Sequence, residues 1–208
     1  MNRPLCIATV LLSLAATPVL ADGPRDNDPR TVRPVPRRGV KPPGSGYLQL
    51  PAKLKDLRAR IRKAAASKNP AIVALIPDVE IYYRAVHDAL TYNEFFSVAD
   101  IKKAHELIAT GANRADQLIA GRAPWTTQTG LVVRGYVSKI DHTVQPYGLV
   151  IPGSYDFESS RRHRLDIWFH GRGETLSEVN FIHQRTRSAG SYTPANTIVL
   201  HPYGRYSN

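Results

Sequence analysis

Cysteine is almost missing from this chain: Cys6 stands alone among 208 residues. It lies in an apolar run near the start. Once that run is removed, thiolate catalysis, cysteine-based zinc sites and disulfides are all excluded, and the fold must be held by core burial. Acidic residues are also scarce, with 17 Asp and Glu against 28 Lys and Arg and a net charge of +11. None of the serines lies in Gly-x-Ser-x-Gly, so there is no strained strand-to-helix turn of the kind that presents a nucleophilic hydroxyl. The seven histidines form no His-Glu-x-x-His or similar ligand spacing, which points to no metal and no cofactor. A membrane helix needs roughly 20 uninterrupted apolar residues. The stretch Leu5 to Leu20 is shorter and is broken by Ser13, Thr17 and Pro18.

That stretch is instead a secretory signal. Met1-Asn2-Arg3 supplies the positive start, and Val19-Leu20-Ala21 supplies the small-x-small cleavage pattern before Asp22. Cleavage is expected after Ala21, with export to the periplasm or beyond and no stable membrane anchor. Cys6 sits at the beginning of the apolar run rather than its end, which argues against a lipid-modified cysteine. Taking 21 residues from 208 leaves 187, a domain of ordinary size but short for a catalytic core plus an extension. A hydrophobic content of 42% and a charged content of 22% are those of a globular protein.

The positive charge falls to +10 when Arg3 leaves with the signal. The remaining cations are dispersed over a proline-rich segment (Arg25 to Lys41), a helical segment (Lys53 to Lys63) and a loop (Arg161 to Arg164). They describe a solvated basic surface rather than a nucleic-acid footprint, and no nucleic-acid partner is expected.

Residues 22–46 hold Pro24, Pro29, Pro34, Pro36, Pro42 and Pro43 with few large apolar side chains, the composition of an extended linker. Residues 47–125 have helical patterning. From Pro51, Leu54, Leu57, Ile61, Ala64 and Ala65 recur at three- and four-residue spacing until Asn69-Pro70 ends the helix. A further helix opens at Pro77-Asp78 with Val79, Tyr82, Tyr83, Val86 and Leu90 on one face. Another follows Ser97-Val98-Ala99-Asp100, which resembles a capping box, and Gly111 is expected to interrupt it. His87 with Asp88 and His105 with Glu106 are adjacent on helices and are not expected to face one another. The pairs Tyr82-Tyr83 and Phe95-Phe96 suit a core better than a sugar-binding groove.

After Trp125 the pattern becomes that of strands. Gly130 to Val137 and Val144 to Pro152 are expected to form an antiparallel hairpin about Asp141-His142, with Pro146 at an edge or strand start. Arg164 to Phe169 and Thr197 to Leu200 read as buried strands separated by room for a helix between Glu174 and Arg187, a crossover that implies parallel pairing. Thr197 to Leu200 is expected to carry an unpaired apolar edge. Asp156 and Glu158 belong to a surface loop.

A strand ending in Phe169-His170-Gly171-Arg172-Gly173, followed by one ending in Leu200-His201-Pro202-Tyr203-Gly204-Arg205, resembles the opening of the prolyl oligopeptidase and dienelactone hydrolase group of α/β-hydrolases over residues 130–208. The resemblance implies an α/β fold: the N-terminal part of a hydrolase sheet, an antiparallel hairpin then parallel strands, over residues 126–208, preceded by a helical extension. It implies a serine hydrolase acting on an ester or peptide substrate. The backbone amides of Gly171 and Arg172 would then be oxyanion-hole donors, with His170 bracing the loop and Tyr203 and Arg205 lining the substrate pocket. The chain would be a truncated front part, inactive alone. The other class of function is a non-catalytic secreted binding module for a polysaccharide or protein partner.

Overall fold

The computed structural model describes residues 39–41, 44–171 and 173–204. The export signal, most of the linker, Arg172 and Arg205 lie outside the described residues.

Helix α1 (Ser45–Ala65) buries Leu50, Leu54, Leu57, Ile61 and Ala64, one face at three- and four-residue spacing. It begins six residues before the expected start and carries Pro51 inside it. A proline there removes one intrahelical bond, and tertiary contacts hold the extra turn. Leu50 is fully buried, Tyr47 meets Phe95 edge-on at 6.1 Å, and His105 Nε2 donates to the Gly46 carbonyl at 3.0 Å. The short α2 (Pro70–Val73) is capped by the Asn69 side chain, which accepts from the Ala71 amide. Helix α3 (Pro77–Tyr92) ends at Asn93 in the left-handed region, φ 57°.

Helix α4 (Ala99–Ile119) runs through Gly111 without interruption, because a β-carbon there would stand 2.8 Å from Tyr82 Cβ. Its glycine is a contact point between helices rather than a break. The acid half of the expected capping box is formed: Asp100 accepts from the amides of Phe96 at 2.8 Å and Ser97 at 3.0 Å. The serine half is not, since the helix cap falls at Val98 with no side-chain bond.

The sheet follows in the order β1-β2-β4-β3. Strands β1 (Gly130–Val137) and β2 (Val144–Ile151) form the expected antiparallel hairpin, with Gly130 opposite Ile151 and Val137 opposite Val144. His142 in its turn has φ 56°. Pro146 precedes the stretch Tyr147 to Val150, where β2 also pairs antiparallel with β4 (Thr197–Pro202), so its missing N–H breaks no ladder. Strand β3 (Arg164–Ile167) pairs parallel with β4, and α5 (Glu178–Arg185) lies in the crossover between them. The class is therefore mixed α/β, with a four-stranded mixed sheet.

The edge is not where the sequence places it. Strand β4 is paired on both sides, and the two edges of the sheet are β1 and β3. Nor is β3 buried: Leu165 is 55% and Ile167 54% exposed, and Phe169 just beyond it is 76% exposed. Apolar composition alone does not separate a buried strand from an exposed edge strand. Asp166 of β3 is tied back by Arg164 Nε at 2.7 Å and the Tyr192 hydroxyl at 2.6 Å, and Trp168 stacks on Tyr192 at 4.9 Å.

One apolar core runs from α1 through β1 and β2 to α5 and joins helices to sheet. Its polar pin is Asp78 in the first turn of α3, 1% exposed. The carboxylate accepts from Trp125 Nε1 at 2.9 Å, Arg134 Nε at 2.7 Å and the Gly135 amide at 2.8 Å. A β-carbon on Gly135 would stand 2.1 Å from the Pro77 carbonyl oxygen, so glycine lets β1 approach the start of α3.

Candidate functional site at the ends of the parallel strands

The loops that leave β3 and β4 emerge side by side because the two strands are parallel. His170 bridges them. Its Nε2 accepts from the Gly204 amide at 3.2 Å, which places the ring proton on Nδ1, and Nδ1 donates to the Gly171 carbonyl at 2.8 Å. Both ring nitrogens are thus engaged with backbone. Phe181 of α5 lies 6.2 Å from the His170 ring and 5.0 Å from the ring of Tyr203. Gly171 is exposed, and a β-carbon there would meet nothing within 4 Å.

Tyr203 is half-buried and donates its hydroxyl to the Leu176 carbonyl at 3.1 Å. It borders a depression of about 260 Å³ with Arg84, Asp88 and Glu178, which shares no lining residue with His170's cavity. Tyr203 and His170 therefore share the Phe181 contact without lining one pocket. Of the residues proposed for the site, His170, Gly171 and Tyr203 are described, and Arg172 and Arg205 fall outside the described residues.

Beside His170 opens a cavity of about 580 Å³, lined by Lys103 of α4, by Thr175 and Leu176 of the crossover, and by Asn180, His183 and Gln184 of α5. Lys103 was not visible as a site residue in the sequence; it is brought there by packing of α4 on α5. Its ammonium donates to Asp100 Oδ1 at 2.8 Å and Asn180 Oδ1 at 2.6 Å, while Asn180 Nδ2 donates to the Thr175 carbonyl at 2.9 Å. His183 lies 3.2 Å from Glu106 Oε2, which also takes Arg187 at 2.7 Å. Burial and then the positive Arg187 hold the His183 pKa below its ordinary value against the pull of Glu106.

Behind the loops His201 is buried, its Nε2 without a hydrogen-bond partner. Burial, then the Arg185 guanidinium, push its pKa down to about 4, so the ring is neutral near pH 7. Among the described residues no serine hydroxyl is hydrogen-bonded to a histidine, and no group of His, Cys, Asp and Glu is placed to hold a metal. No described helix is long and apolar enough to cross a membrane.

No protein-family model, curated protein or solved structure matches this chain. At the carboxyl ends of two parallel strands, His170 bonds the Gly171 carbonyl and the Gly204 amide beside an open cavity. Backbone amides in such a place can stabilise developing negative charge.

The adjacent pairs in the helices differ from expectation in one case. His87 Nδ1 does reach Asp88 Oδ1, at 2.9 Å, because the ring is turned along the helix to stack on Tyr83 at 5.4 Å. Asp88 is also bonded to Arg84 at 3.1 Å, so the pair is part of a surface ion cluster. His105 and Glu106 turn to different partners, Gly46 and Lys53 for the one and Arg187 and His183 for the other. Asp156 and Glu158 lie in an exposed loop, as expected.

Proposed function

We propose that this chain is the N-terminal portion of a secreted serine hydrolase that cleaves ester or peptide bonds through an acyl-enzyme. In this role it supplies the oxyanion loop and the first strands of the catalytic sheet, and the nucleophile comes from another segment. The observation that carries the proposal is the His170 bridge between the two strand-end loops. It leaves the imidazole no free nitrogen for proton transfer, which suits a bracing role, and it holds the Gly171 peptide at the exposed rim. The backbone amides of Gly171 and Arg172 are the donors assigned to the substrate's oxyanion, a contribution of about 3–4 kcal/mol per donor in enzymes of this chemistry.

Further support comes from the hairpin followed by a parallel pair with a crossover helix, and from the apolar outer edge of β3, which suits the addition of more strands. The test is fluorophosphonate labelling of extracts from the producing cells, followed by capture with an antibody to this chain. The expected result is a labelled polypeptide containing this sequence, with the modified serine outside residues 1–208. His170→Ala should then lower kcat by up to about 10²-fold with KM little changed. Stoichiometric labelling of a serine within the 208 residues, or hydrolysis indifferent to His170→Ala, overturns the proposal.

A non-catalytic secreted binding module is the second reading, favoured by the groove that Tyr83 lines between α1 and α3. Failure to find any labelled polypeptide containing this sequence would favour it.

A further inference from the structure

Helices α1 and α3 leave between them a groove of about 470 Å³, sharing no residue with the cavity at His170. Leu54 of α1 and Leu90 of α3 line it as apolar walls, with the Tyr83 ring between. Arg58 lies over that ring, 3.7 Å from its centroid, and is neutralised by Glu80 at 2.8 Å. His87 stacks near the ring at 5.4 Å with an interplanar angle of 21°. Tyr83 is thus held rigid without being buried, unlike its neighbour Tyr82, which is 1% exposed in the core.

The rim is of one sign. Lys55 and Arg62 lie seven residues apart on α1, about 10 Å along one side of the helix at 1.5 Å per residue, and both are exposed. Neither has a carboxylate partner among the described residues, and no Asp or Glu lines the groove. Elsewhere on this helix Arg60 is paired with Asp116 and Lys53 with His105, whereas Lys63, which does not line the groove, is exposed like Lys55 and Arg62. An apolar slot with a rigid aromatic wall and two uncompensated cations at its lip is complementary to one kind of small molecule. Its volume falls within the ~300–1,000 Å³ common to ligand pockets.

We propose that this groove binds a small amphiphilic carboxylate: an aryl or alkyl body seated between Leu54, Leu90 and Tyr83, and a carboxylate taken by Arg62, whose planar fork suits it, with Lys55 adding a second charge. A neutral sugar would leave both cations unanswered, and a cationic ligand would be repelled. The site does not depend on the hydrolase assignment, because none of its residues touches the strand-end loops.

The probe is 1-naphthoate, compared with the uncharged 1-naphthylmethanol by calorimetry and by amide chemical-shift mapping of the purified protein. The acid should bind saturably and shift resonances of α1 and α3, with the alcohol at least about tenfold weaker, the scale expected for hydrogen bonds to a charged group. Lys55→Glu with Arg62→Glu should abolish the difference while leaving the far-ultraviolet circular dichroism unchanged, since both side chains are exposed. Arg60→Glu, on the same helix but outside the groove, should bind as the native protein does. Equal affinity for acid and alcohol in the native protein, a preference for the acid retained in the double variant, an equal loss in Arg60→Glu, shifts confined to the loops around His170, or no saturable binding would each overturn the proposal.

Discussion

Asp78→Ala should be among the most damaging single changes available in this protein. The carboxylate is 1% exposed and receives Trp125 Nε1, Arg134 Nε and the Gly135 amide at 2.7–2.9 Å. Alanine removes the acceptor for all three and leaves the half-buried Arg134 guanidinium without its carboxylate. A second cation, Arg114, donates to the carbonyls of Asp78 at 3.2 Å and Val133 at 2.8 Å and lies over Trp125 at 4.7 Å, so the positive charge near the vacated site is double. Breaking a buried ion pair by deleting one partner costs about 3–5 kcal/mol, a large part of the ~5–15 kcal/mol that holds a domain. At about 2–4 °C per kcal/mol for a chain of this size, Tm should fall by roughly 6–20 °C. Asp78→Asn keeps an oxygen acceptor and the shape, and should cost only about 1–3 kcal/mol. The assay is urea unfolding followed by circular dichroism and by fluorescence of Trp125, whose indole N–H belongs to the network. A loss under about 1 kcal/mol for Ala, or equal losses for Ala and Asn, would refute the view that this charge pins α3 to β1.

Three further outcomes are expected. Gly135→Ala should destabilise by about 1–3 kcal/mol, because the new methyl collides with the Pro77 carbonyl, whereas Gly171→Ala, with open space around it, should stay within about 0.5 kcal/mol; calorimetric Tm values distinguish them. His201, pushed below its ordinary value to about 4, resists protonation in the fold, so its contribution is complete above about pH 6.5 and is lost as pH falls from there toward 4; an imidazole signal titrating near 6.5 in the folded protein would disprove the burial. The exposed apolar edge of β3 should drive self-association detectable by light scattering, and Ile167→Lys should suppress it; a wild-type monomer at high concentration with one sharp unfolding transition would show that this edge needs no partner.

Legibility in the sequence followed the range of the interaction. The faces of α1, α3 and α4 were visible because burial at three- and four-residue spacing is a local pattern. The hairpin was visible from two β-rich runs about a turn, and the parallel pair from the room for α5 between two apolar runs. The first turn of α1 was not, since Pro51 argues against a helix there and the contacts of Leu50 and Tyr47 that override it come from distant residues. Gly111 resembled a break because its partner, Tyr82, is on another helix. At the site, the His-Gly turn after β3 stood out as a motif, yet nothing local showed that His170 would reach Gly204 or that Lys103 would stand at the same cavity.

By itself the sequence determined the coarse class, the order of helices and strands, and the placing of His170-Gly171 at a strand's carboxyl end, because periodicity and turn chemistry act over a few residues. Which strands lie at the edges, which buried charge is neutralised and where two helices leave a groove were decided only by the tertiary structure. Each depends on residues tens of positions apart: Asp78 with Arg134, His170 with Gly204, Leu54 with Leu90. Charge compensation and close contact are properties of pairs in space, and a linear pattern specifies one member of a pair without its partner.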